Sequence, residues 1–137
     1  MFPPPRPWKQ CTSAEPQREY LAFTSRFFLK SLRRGPAFLA SSFRIMNQAN
    51  AAPGIIGWTL GMDLLRLEFY TLSAWEDAES LRHFVRSGSH MSALQVFEKD
   101  LRRKSILVYY KVLGQDLPLT WKDAIVRQER HDQGRGE

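Results

Sequence analysis

Between Leu67 and His90 the chain changes period, and that change constrains the fold more than any other feature. Leu67, Phe69, Thr71 and Ser73 alternate with Glu68, Tyr70 and Leu72, the two-residue repeat of a strand at about 66–73. Ala78, Leu81, Phe84 and Val85 then recur at helical spacing, which predicts a helix over 77–86. Two starts are open to it, a capping box at Ser73-Ala74-Trp75-Glu76 and an Asp77-led cap at Asp77-Ala78-Glu79-Ser80. Ser87-Gly88-Ser89 breaks the helix, and a further helix is expected from about Ser89 to Leu101. The remaining elements are read as packing around this unit.

Residues 1–18 carry five of the eight prolines and are expected to form a flexible tail, with Trp8 either incidental or docked. The folded domain is assigned to 19–114, and 115–137 to a loop, a short helix at about 120–129 and a frayed end. A first strand is expected over 20–30, with Leu21, Phe23, Phe27 and Leu29 on one face. A helix at about 36–51 begins at Pro36 and ends at the Pro53-Gly54 turn. The second strand, 55–62, puts Ile56, Trp58, Leu60 and Met62 on one face and Ile55, Gly57, Thr59 and Gly61 on the other. Two glycines on one face point to a close approach of something to the backbone, or to a bulge. The last strand, 105–113, is apolar on both faces.

The resulting order, β-α-β-β-α(α)-β, is the ferredoxin-like pattern of an α+β fold with a four-stranded antiparallel sheet. Helices cover one face of such a sheet. The other is expected to hold Tyr20, Ala22, Phe28, Tyr70, Leu72, Leu107, Tyr109 and Leu113, an apolar surface suited to a two-fold homodimer packed sheet against sheet.

Net charge is +6, but the basic clusters Arg33-Arg34 and Arg102-Arg103-Lys104 are short and read as solvated charge, so neither nucleic acid nor membrane is expected as a partner. The start of the chain lacks the apolar core of a signal peptide, and there is no run of about 18 apolar residues. With Cys11 as the only cysteine, a cytoplasmic protein is expected. No phosphate loop, HExxH pair or nucleophile elbow occurs.

The run Phe69-Tyr70-Thr71-Leu72-Ser73-Ala74-Trp75-Glu76-Asp77-Ala78-Glu79-Ser80-Leu81-Arg82-His83-Phe84, ending in Ser87-Gly88-Ser89-His90, resembles the signature of dimeric α+β barrel proteins. The antibiotic-biosynthesis-monooxygenase-like and spheroidene-monooxygenase-like groups are among these. Ala52-Pro53-Gly54-Ile55-Ile56-Gly57 is similar to the turn that leads into their second strand. The resemblance covers about residues 20–113 and implies a ligand pocket between helices and sheet. It places Trp75 near that pocket, and Trp58, Tyr70, Phe84 and Asn47 are further candidates to line it. Each also has an adequate structural role.

His90 is the candidate for proton handling, although a structural histidine would fit the same position. The implied chemistry is that of a cofactor-independent monooxygenase acting on a small hydrophobic or aromatic molecule. A non-catalytic binding or structural dimer is the alternative. No cofactor is expected. Haem is disfavoured because the haem-degrading relatives use an Asn on the first strand, where this chain offers Thr24 and Ser25. They also use a Trp in the helix after strand three, where it has Phe84.

Overall fold

The computed structural model describes residues 7–87 and 98–135. Its strands are β1 (Lys9–Gln10), β2 (Glu19–Phe28), β3 (Ile55–Asp63), β4 (Glu68–Trp75) and β5 (Ile106–Leu113). Its helices are α1 (Gly35–Ala49), α2 (Ala78–Val85) and α3 (Trp121–Arg135). The sheet runs β1-β3-β4-β2-β5, with every neighbouring pair antiparallel. The four central and right-hand strands reproduce the ferredoxin-like order, and β1 is a fifth strand added at one edge. The helix expected from Ser89 lies outside the described residues as far as Phe97, and Glu98–Asp100 forms one 3-10 turn.

Local chemistry explains the main boundaries. Asp77, not Ser73, caps α2: its carboxylate accepts the Ser80 N–H at 2.8 Å. The strand before it therefore runs on to Trp75. Gly54 adopts φ +86° at the turn before β3, where a Cβ would lie 2.2 Å from Ser80 Oγ. Only glycine meets both demands.

A bulge between Ile55 and Gly57 separates the two adjacent isoleucines. Ile55 joins the core under α1 and α2, with Met46, Trp58, Leu60, Trp75, Leu81 and Phe84, whereas Ile56 joins the core on the opposite face. This corrects the expectation that Ile56 shares a face with Trp58.

The face expected to be bare is covered by the chain itself. Tyr20, Ala22, Leu72 and Tyr110 are buried with Ala124 of α3, and Trp8, Ala14 and Trp121 pack against them. Gln128 of α3 is fully buried there, its Nε2 donating to Thr24 Oγ1 at 2.8 Å. Residues 7–18 are therefore not a free tail. β1 pairs with β3, and Cys11 N–H donates to Ile56 O at 2.8 Å.

The expected faces of the last strand are also reversed. Ala22 pairs with Tyr110 and Phe23 with Tyr109, and cross-strand partners share a face. Leu107, Tyr109 and Leu113 thus lie on the α1/α2 side, not with Tyr20 and Ala22. No helix among the described residues is long and apolar enough to cross a membrane.

Candidate functional site

Between the sheet and helices α1 and α2 lies a cavity of about 210 Å³. Its floor comes from inward positions of β2 and β4, strands paired so that Ser25 faces Thr71 and Phe23 faces Ser73. Phe38 and Met46 of α1 and Leu81 and Phe84 of α2 form its walls, and Leu107 and Tyr109 of β5 complete one side. Aromatic rings order the lining. Phe23 stacks on Tyr109 with centroids 4.8 Å apart, and Trp75 meets Phe84 at 5.2 Å.

On the sheet floor, hydroxyls break this apolar surface in two places, and Ser41, Ser42 and Ser105 add others around it. Ser73 Oγ accepts the buried Trp75 indole N–H at 2.9 Å, which fixes the ring. Ser25 and Thr71 share a hydrogen bond between their hydroxyls. One bond uses one of their two protons, and neither hydroxyl makes another hydrogen bond among the described residues. The floor can therefore donate one hydrogen bond to a bound molecule and accept others. Among the described lining residues Glu98 is the sole carboxylate, and no basic side chain lines the cavity.

The candidates named from the sequence divide. Trp75 and Phe84 line the cavity side by side. Trp58 is buried in the same core but outside the lining, its indole N–H donating to Asn50 Oδ1 at 2.7 Å. Asn47 is exposed on α1. Tyr70 is on the opposite face, edge-on to Trp121, with its hydroxyl donating to Glu68. Burial first, and then that hydrogen bond, push the Tyr70 phenol well above its usual range. Glu68 is buried and also pairs with Arg26 at 2.8 Å. These three form a structural ion cluster remote from the cavity. His90 lies outside the described residues. Sequence reasoning overlooked the hydroxyl pair, although small polar residues at inward positions of two apolar strands were visible in it. No group of three or more His, Cys, Asp or Glu among the described residues could hold a metal ion.

No protein-family model matches the chain. No curated protein matches it either. Solved structures do. A conserved protein from Methanosarcina mazei is 14% identical with a TM-score of 0.60, over 66% of this chain and 90% of its own. An antibiotic biosynthesis monooxygenase is 13% identical with a TM-score of 0.61, over 68% and 98%. SnoaB, a cofactor-independent oxygenase from Streptomyces nogalater, is 16% identical with a TM-score of 0.58, over 73% and 98%. At these identities the likeness is one of fold.

Proposed function

Starting from the fold that this chain shares with antibiotic-biosynthesis-monooxygenase-like proteins, we propose that its cavity binds a small, neutral hydrophobic or aromatic molecule and that the protein acts on it as a cofactor-independent monooxygenase. The observation that carries the reading is an aromatic cavity whose floor offers a Ser25–Thr71 hydroxyl pair. Such a lining rewards an apolar body with one polar edge. A cavity of about 150 Å³ holds benzene. One of about 210 Å³ suits a substituted single ring or two fused rings. In the proposed reaction a deprotonated substrate reduces dioxygen directly, one oxygen atom remaining on the ring carbon and the other leaving as water. His90 is the proposed proton acceptor, with the floor hydroxyls holding the substrate oxygen.

The test is a panel of one- and two-ring phenols and hydroquinones, followed by thermal shift and by oxygen uptake. Uptake that is lost in His90→Ala and in Ser25→Val is expected. A thermal shift without oxygen uptake would instead support the non-catalytic binding protein. That alternative gains from a specific observation: the described floor supplies hydroxyls in place of a strong base.

The homodimer belongs to this reading, at a surface other than the covered face. Leu107, Tyr109 and Leu113 remain 42%, 55% and 37% exposed on β5, an edge strand of the sheet. We place the two-fold contact there. Light scattering should give twice the mass of one chain, and Leu113→Lys should halve it. The single free cysteine suits a reducing compartment, and the cytoplasm is the proposed location.

A further inference from the structure

The three most exposed leucines in the described residues cluster at one end of the molecule. Leu64 and Leu65, 49% and 89% exposed, form the turn between β3 and β4, and Leu32, 60% exposed, sits in the 3-10 turn after β2. The backbone ties these segments together. Leu29 N–H donates to Leu67 O at 2.9 Å, Lys30 N–H to Asp100 O at 2.8 Å, and Arg102 N–H to Phe28 O at 2.9 Å. The leucine turn is a fixed feature: Arg66 N–H donates to Asp63 Oδ1 at 3.1 Å, and Leu67 closes the turn at φ 57°.

Charge gathers at the same end. Segments 29–35, 63–68 and 98–104 hold eight basic and four acidic residues. Three of the acids pair locally, Asp100 with Arg34, Asp63 with Arg66, and Glu68 with Arg26 and Arg102. Lys30, Arg33, Lys99 and Lys104 are exposed and make no ion pair among the described residues. Along the chain these clusters are short and read as solvated charge. The Leu29–Leu101 bridge brings Arg33-Arg34 and Arg102-Arg103-Lys104 to one place.

We infer that this end docks on an anionic membrane surface, with Leu64 and Leu65 entering the headgroup layer and the basic side chains meeting lipid phosphates. Exposed leucines at the tip of a turn, at the same end of the sheet as unpaired cations, match the two terms of peripheral membrane binding: apolar insertion and attraction to anionic lipid. Nucleic acid would use the cations but leave the leucines without a role. The inference stands apart from the oxygenase reading. Glu98 and Leu101 of the same end line the cavity, so docking would set it beside the bilayer.

The full chain is to be sedimented with phosphatidylcholine vesicles, with and without phosphatidylglycerol, at low and high salt. Binding is expected only with phosphatidylglycerol and should weaken with salt. The Leu64→Ser/Leu65→Ser pair should lower the partition coefficient about tenfold. Arg33→Glu/Lys104→Glu should lower it about tenfold or more. All four side chains are exposed, and circular dichroism checks that the variants fold. Failure to bind either vesicle would overturn the inference. So would binding indifferent to the leucine pair, or duplex DNA binding as tight as that to the anionic vesicle.

Discussion

The indole of Trp8 occupies the space a side chain at residue 57 would need: a Cβ on Gly57 would lie 2.4 Å from Trp8 Cζ2. The glycine that weakens β3 as a strand is what admits the N-terminal segment to the sheet. Trp8 is held in place by its indole N–H, which donates to Gln10 Oε1 at 2.7 Å. Gly57→Ala should expel the ring and free β1. The expected cost is about 1–3 kcal/mol in urea denaturation. Tryptic cleavage at Lys9 should accelerate in parallel.

Gln128 offers a second test, because its two polar atoms fare differently. Its Nε2 donates to Thr24 Oγ1 at 2.8 Å, while its buried Oε1 has no partner among the described residues. Gln128→Ala should cost about 2–4 kcal/mol through the cavity and the lost bond. Gln128→Met, which keeps the volume and removes the orphan oxygen, should cost less than half as much by the same measurement. An equal loss in both variants would show that the hydrogen bond dominates.

The Tyr110 phenol is pushed from 10 up to about 12, first by burial and then by Asp123, with Arg127 opposing. Folded protein keeps this proton between pH 10 and about 12, whereas unfolded protein has lost it. This share of stability is therefore complete below pH 10 and declines through about pH 12. Tyr110→Phe should flatten part of the alkaline decline. It should change stability little at pH 7, since the hydroxyl is buried with no partner among the described residues. Tyr70, also raised, keeps the remainder of the slope.

Ser73→Ala removes the acceptor of the Trp75 indole N–H. The buried donor is left unmatched, at a cost of about 1–3 kcal/mol. Ser73→Thr should retain most of the stability. Aromatic near-ultraviolet circular dichroism should lose intensity in the alanine variant alone, as Trp75 is released from one orientation against Phe84.

The periods of the sequence identified α1, α2 and the four long strands because each element buries one consistent face. They did not identify which faces meet. That depends on strand pairing, and one residue of bulge after Ile55 exchanges the two sides. The pairing of β5 with β2, which has no bulge, likewise places Leu107 and Tyr109 with Phe23 rather than Ala22. α3 was legible as a helix but not as a cover, because its buried contacts rest on Trp121, Ala124 and Gln128 amid polar neighbours. At the cavity, Trp75 and Phe84 stood out by size and spacing. Tyr70 was misplaced because adjacent positions on β4 face opposite ways. The Ser25–Thr71 pair exists only across strands 46 residues apart, a relation that no local pattern contains.

α3 reaches the sheet through residues 114–120, directly after β5. A cover on so short a tether is present at an effective concentration in the millimolar range, whatever the protein concentration. Burial of Tyr20, Ala22, Leu72 and Tyr110 is thus a unimolecular event that dilution does not undo. Any partner for that face must first compete with a segment the chain carries with it.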